Sequence, residues 1–383
     1  TMIAEFDCPA DAWFFAGAPR GDLMPYSILM EIALQTCGIL TSWNKAPLTL
    51  AVKEGFNLLF RNLDATATLL RAVELRGQTI QNVSTCTGYS MLGQMGVQKF
   101  HTVLSVGGEP FYEVDSSFGW FLPAVFEKQV GLDGGKKRDC WHVGASHALE
   151  SFALPADEAR IFAPLRGPHR LSRRSGQARY LDGVGLSKTG GKHGHGYGHG
   201  SKTVDKRDWF FSCHFWCDAV MPGSLGVESM HQAMELFSVN QGLADGIANP
   251  SFEHDRGVTK WKYRGQLTPK NKVLECEVHI KKVERAAGGV TVVADGFLLV
   301  DSLRVYSTTD LRIRIVPGTA SAAAVPAPLS AAGTKVSATD TLALRRALHD
   351  TQCDVVVDIP GGGSGLVRAV PWSMLGAGSA AFM

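Results

Sequence analysis

The chain has 383 residues, of which 45% are apolar and 19% charged, and a formal net charge of +2. That length buries a sizeable core in two or three domains, and the composition excludes wholesale disorder. The near-neutral charge, with no basic stripe interleaved with aromatics, leaves no electrostatic footprint for nucleic acid as a partner.

No apolar run reaches the roughly 18 residues of a membrane span, and Glu5 and Asp7 stand where a secretory signal would carry its apolar core. Eight cysteines without a CxxC pair do not make a disulfide framework. A cytoplasmic protein is predicted, with most cysteines acting as small buried apolar residues.

Thr1 to Phe6 reads as a strand, and Pro9-Ala10-Asp11 turns the chain into Trp13-Phe14-Phe15. From Tyr26 to Ile39 the apolar residues point to nearly every side, which predicts a central, wrapped helix. Strands are predicted at 67–75, 79–90, 97–106 and 110–121, separated by Arg76-Gly77 and Gly107-Gly108 turns. Residues 127–168 lack periodicity and read as a connector broken by Pro155, Pro164 and Pro168.

Strand character returns at 178–186, and a glycine- and histidine-rich loop, 190–200, precedes an aromatic strand, Trp209-Phe210-Phe211, that delivers His214. A second helix is predicted over 224–243, followed by strands at 260–267, 273–283, 290–300 and 303–316. After Pro317 the Ala, Ser, Gly and Pro content fits a flexible linker. A short helix at 340–349 and a short strand at 354–359 follow, and Gly361 to Gly365 reads as a turn, since no Gly-Lys-Ser/Thr accompanies it.

The element order therefore repeats. Trp13 to Gln35 is a degraded copy of Trp209 to Gln232: Met24-Pro25 aligns with Met221-Pro222, Tyr26 with Gly223, Glu31 with Glu228 and Gln35 with Gln232. The position matching His214 is Gly17, so the first copy can supply an acid but no base. The second copy also carries about 30 residues ahead of its Trp-Phe-Phe for which the first shows no counterpart.

The pattern His-Phe-x-x-Asp-x-Val-Met-Pro-Gly-Ser-Leu-Gly-x-Glu-x-x-x-Gln, His214 through Gln232, resembles the β-hydroxyacyl-ACP dehydratase family. With segments such as Trp261-Lys262-Tyr263-Arg264-Gly265 and Val300 to Tyr306, the two halves look like the dehydratase modules of polyunsaturated fatty acid synthases, over residues 1–317. The resemblance implies an α+β double hotdog, two antiparallel sheets each wrapped round a long central helix, as a pseudo-dimer in one chain. The implied units are residues 1–150 and 169–317, with a connector at 151–168 and a linker and tail at 318–383.

It further implies one active site between the halves, with His214 from the second and Glu31 from the first. The carbonyl of Val220 would fix the histidine tautomer and Gln35 would orient Glu31. Gly17, Glu228 and Gln232 would form a relic site. Neutral His214 is suited to remove a C2 proton and a protonated Glu31 to release the C3 hydroxyl, while backbone N–H groups at Gly223 and Ser224 hold the developing enolate. The implied substrate is a 3-hydroxyacyl chain on the phosphopantetheine of acyl carrier protein, with no cofactor and with neighbouring synthase domains as partners. Related enzymes also move the new double bond from 2-trans to 3-cis.

Competing readings are a hotdog thioesterase or a hydratase of coenzyme A esters, which usually lack this motif, and a non-catalytic pseudo-dehydratase that docks carrier protein. No metal is assigned. Cys213, His214 and Cys217 alternate in direction on a short strand without a fourth ligand, and His193, His195 and His199 read as a solvated hairpin tip.

Overall fold

A computed structural model of the chain describes residues 1–16, 23–43, 58–92, 95–127, 129–145, 149–166, 169, 171–174, 176–215, 218–318, 335–337, 354–359 and 363–368. Gly17, Cys217, Gly361 and Gly362, most of the expected linker and the expected helix at 340–349 lie outside the described residues. No helix of the described residues is long and apolar enough to cross a membrane.

In chain order the first half runs β1 (Met2–Asp7), α1 (Trp13–Ala16), α2 (Tyr26–Trp43), β2 (Leu59–Leu69), β3 (Thr79–Leu92), β4 (Met95–Val106) and β5 (Glu109–Phe121). The second begins with β6 (Glu150–Ala153), α3 (Glu158–Phe162), β7 (Gly183–Ser187), β8 (Tyr197–Thr203) and α4 (Gly223–Asn240). It continues with β9 (Pro250–Glu253), β10 (Gly257–Tyr263), β11 (Val273–Ala286), β12 (Gly289–Val300) and β13 (Leu303–Pro317). A separate small sheet holds β14 (Lys335–Ser337), β15 (Asp354–Ile359) and β16 (Gly363–Arg368).

The α+β layout is as expected, but the two expected sheets are joined into one. Thirteen antiparallel strands run in the order β1-β3-β4-β5-β2-β10-β13-β12-β11-β8-β7-β6, with β9 added on β13. The order is symmetric about the β2–β10 junction, where Leu69 to Asp64 pair with Gly257 to Lys262. Strand β1 thus answers β8, so the stretch ahead of Trp209, expected to lack a first-half counterpart, has one in part, and among the described residues β7 and β6 are strands of the second half left without an equivalent. Helix α2 packs on β1, β3 and β4, helix α4 on β7, β8, β11, β12 and β13, and the two helices touch. Every residue of α4 from Ser224 to Val239 is buried, and one apolar core runs through both halves.

Several local expectations are corrected, each for a physical reason. Trp209–Ser212 is a 3-10 turn, not a strand, because a strand would send Phe210 and Phe211 to opposite faces whereas both are buried here. Strand β2 starts at Leu59 rather than 67, since its early residues Arg61, Asn62 and Asp64 are polar for the sake of contacts with the second half. Arg61 pairs with Asp218, the Asn62 side-chain oxygen accepts from Trp261 Nε1 at 2.8 Å, and Asp64 pairs with Arg264.

The expected 190–200 loop ends early. From Tyr197 the chain is β8, and its glycines serve close packing: a Cβ at Gly200 would lie 2.7 Å from Cys276 Sγ. His199 is accordingly a strand residue, bonded to Glu275 at 3.0 Å, and His193 is bonded to Asp295 at 2.9 Å. The strand expected at 178–186 is a 3-10 turn, Gly176–Ala178, followed by β7 at Gly183–Ser187. The expected connector carries β6, whose Phe152 is buried, and α3. Gly363 to Gly365 lies in a strand rather than a turn.

Helix α4 approaches the sheet so closely that a Cβ at Gly226 would sit 2.6 Å from the Tyr306 ring. Gly226→Val should therefore lower stability by about 1–3 kcal/mol through overpacking, read as a reduced urea midpoint at unchanged slope.

Candidate active site

A cleft of about 300 Å³ opens between the halves. Glu31, Leu34, Gln35, Arg61 and Phe118 line it from the first, and His214, Val220, Gly223, Ser224 and Tyr306 from the second. Its walls are mostly apolar and aromatic, which suits a hydrocarbon guest.

His214 is set by the turn around it. Its backbone N–H donates to Phe210 O at 2.9 Å, and its own carbonyl accepts from Val220 N–H at 2.8 Å. The ring Nδ1 lies 2.8 Å from the Val220 carbonyl oxygen. A carbonyl only accepts, so Nδ1 carries the proton and Nε2 is left as the basic nitrogen. Burial, helped by the Arg61 charge and opposed by the Val220 hydrogen bond, lowers the His214 pKa to about 4. At neutral pH the imidazole is a free base.

Glu31 comes from the middle of α2 and is partly open, to the cleft it lines. Its carboxyl accepts from the Ser224 hydroxyl at 2.5 Å, across the junction between the halves. Enclosure by protein raises its pKa, and the Ser224 hydrogen bond only partly offsets this. The cleft therefore brings together a neutral base and a carboxyl biased towards its acid form. Helix α4 begins at Gly223 with no side-chain cap, and Gly223 and Ser224 at its start line the same cleft. Gly223 is required there, because a Cβ would meet the Tyr263 ring at 2.6 Å. Gln35 lines the cleft one helical turn beyond Glu31.

The second location is built differently. Ser27 donates to Glu228 at 3.1 Å, mirroring Ser224 and Glu31, and Gln232 donates to Glu228 at 3.0 Å. Arg174 then closes the site, with Nε 2.6 Å from Glu228 and a second nitrogen 2.9 Å from Glu235. Side-chain exposures of 1% for Arg174 and 3% for Glu228 make this a buried ion pair rather than a reactive acid. Burial pulls the Arg174 pKa down, and the two carboxylates outweigh it and hold it above the ordinary arginine value. Tyr26 stands at the position equivalent to Gly223, its ring stacked on His231 at 5.1 Å and its hydroxyl accepting from Tyr112 at 3.0 Å.

Three contributors were not legible as site residues. Arg61, from β2, forms two hydrogen bonds of 2.7 and 2.9 Å with Asp218 and one of 3.0 Å with Gln266, so the first half clamps the loop that carries His214. Asp218 stands in the quoted motif four residues after the histidine, which was the available signal. Arg174 had none, lying in an aperiodic stretch beside Arg173.

Residues 177–309 match the family model described as the FabA-like domain. This part of the chain is similar to the FabA-like family. Over 327 residues the chain is 53% identical to one of the polyunsaturated fatty acid synthase polypeptides of Thraustochytrium sp., an alignment covering 83% of this chain and 22% of that protein. The chain thus spans about a fifth of the curated relative it matches. Among solved structures it is loosely similar to the dehydratase domain from the CurK module of curacin polyketide synthase, at 10% identity and a TM-score of 0.39 over 83% of this chain and 93% of that one. It is comparably similar to an acyl-ACP thioesterase from Bacteroides thetaiotaomicron, at 9% identity and a TM-score of 0.40 over 82% and 97%.

Two outcomes follow from the environments of His214 and Arg174. With a folded pKa near 4 against an ordinary 6.5, His214 takes up its proton in the unfolded chain first. Its contribution to stability is present above pH 6.5 and is lost as pH falls through about 4. Urea unfolding at pH 7 and pH 5 should show a smaller acid-side loss for His214→Gln than for the unsubstituted chain. Arg174→Met leaves two carboxylates buried without their cation and should cost about 3–5 kcal/mol in the same assay.

Proposed function

We propose that the chain is a 3-hydroxyacyl-[acyl-carrier-protein] dehydratase of polyunsaturated fatty acid synthesis, a hydro-lyase that forms trans-2-enoyl thioesters. The observation that carries this reading is the meeting, in one mostly apolar cleft, of an imidazole from one half with a carboxyl from the other whose pKa enclosure raises. On this reading residues 1–150 and 169–317 are two hotdog units paired as a pseudo-dimer, with 151–168 as connector and 318–383 as linker and tail.

His214 Nε2 takes the C2 proton, and the electron pair moves towards the thioester carbonyl. The oxygen that gains charge is met by the backbone N–H groups of Gly223 and Ser224, already oriented by the helix start. Glu31 gives its proton to the C3 hydroxyl, which leaves as water, and Gln35 helps to hold its carboxyl. Transfer of the proton from His214 back to Glu31 resets the site. No cofactor enters the scheme, because the thioester acidifies C2 and the two side chains handle both protons. The substrate would arrive on the phosphopantetheine of an acyl carrier protein, beside other synthase domains in the cytoplasm. The same histidine is the base that related enzymes use to move the double bond from 2-trans to 3-cis.

Interconversion of 3-hydroxyacyl and 2-enoyl thioesters, followed by mass spectrometry, tests the proposal. His214→Ala should abolish turnover in a folded protein, and Glu31→Ala should reduce it by a factor of at least about 100. Glu228→Gln should leave most of it. Activity should hold from about pH 5 upwards until the raised Glu31 pKa is passed. Equal losses at Glu31 and Glu228 would exclude a single site. Absence of turnover on carrier-bound as well as small thioesters would leave a pseudo-dehydratase that docks carrier protein.

A further inference from the structure

Apart from the residues that line the cleft, three segments of the chain converge on a second group of chemically competent side chains. Cys140 and His142 come from the 3-10 turn that begins at Trp141, His199 from β8, and Glu275 from the neighbouring strand β11. The ligand atoms of Cys140, His142 and His199 all lie within 4.8 Å of one another. Glu275 Oε1 is 3.0 Å from His199 Nε2 and 3.7 Å from Cys140 Sγ. Two ligands of one tetrahedral zinc ion stand roughly 3.3–3.7 Å apart, so small rotations close this set around a common centre.

We propose that Cys140, His142, His199 and Glu275 bind one zinc ion as a closed, structural site. The support around the ligands has the form such sites need. His142 Nδ1 lies 3.3 Å from the Tyr197 hydroxyl, which donates to Glu277 at 2.8 Å. That chain fixes the ring and leaves Nε2 as the donor to the metal, the usual arrangement for a ligating histidine. Cys140 is buried, while His142, His199 and Glu275 are partly open, which gives the ion an entry path. Binding replaces the Cys140 S–H bond by an S–Zn bond and releases one proton to solvent, with no change of oxidation state. The site is separate from the proposed dehydration, and the zinc would staple an irregular segment to the sheet at β8 and β11.

The test uses the full chain, stripped with chelator and reloaded. Zinc content by plasma mass spectrometry should be one ion per chain, and cobalt(II) should give a thiolate charge-transfer band with intense tetrahedral visible bands. Cys140→Ser should abolish the charge-transfer band. His142→Ala, included in case the cysteine variant misfolds, should weaken zinc by more than the roughly 100-fold typical of losing a supporting residue. Zinc should also raise the thermal midpoint of the unsubstituted chain and of neither variant. The proposal is overturned if the folded, stripped chain takes up no zinc and shows no charge-transfer band, or if both variants retain zinc undiminished.

Discussion

The antiparallel pairing of β2 with β10 is the constraint on which the rest of the structure depends. It places two similar helices face to face, so that the serine at the start of each reaches the glutamate of the other. It also carries Arg61 to the loop that holds His214. A site assembled in this way belongs to neither half alone. The Val220 carbonyl is set by the local turn around His214, whereas the Ser224–Glu31 and Arg61–Asp218 contacts depend on how the two halves meet.

The two glutamates began from equivalent positions and now sit in opposite environments. Glu31 accepts from the Ser224 hydroxyl in a mostly apolar cleft, so the cost of removing a carboxylate from water appears as a raised pKa. Glu228 has a guanidinium within 2.6 Å, so the same cost is met by pairing. Tyr26 in place of Gly223 marks the same divergence at the helix start, where one half keeps backbone accessible and the other packs a ring. Environment, more than residue type, separates a carboxyl biased towards its acid form from a buried ion-pair partner.

Much of this was legible because it is encoded locally. The Met-Pro-Gly-Ser start, the acid one turn later and the amide after that form a single stretch, and the first-half copy shares their spacing. The helices were equally plain, since an apolar residue on every side leaves little but a wrapped helix. What escaped was encoded across the fold. Arg61, Asn62 and Asp64 broke the apolar pattern of β2 for contacts some 150 to 200 residues away. The glycines of β8 looked like a loop because close packing against Cys276 and Leu181 cannot be seen in one dimension. Arg174 is explained only by two carboxylates that a single helix brings together.

The unbroken sheet has a mechanical consequence. A hinge at the junction would separate β2 from β10 and leave two backbone edges without partners, besides tearing the Arg61–Asp218 and Asp64–Arg264 pairs. The floor beneath the cleft is therefore stiff, and entry of a long guest must be accommodated at the mouth. There the short turn Pro123–Phe126 and the backbone around Gln129 and Val130 contribute Val125, Phe126 and Val130, held by far fewer backbone bonds than the strands below them. Compliance is concentrated at the edge of the cleft, and rigidity around His214 and Glu31.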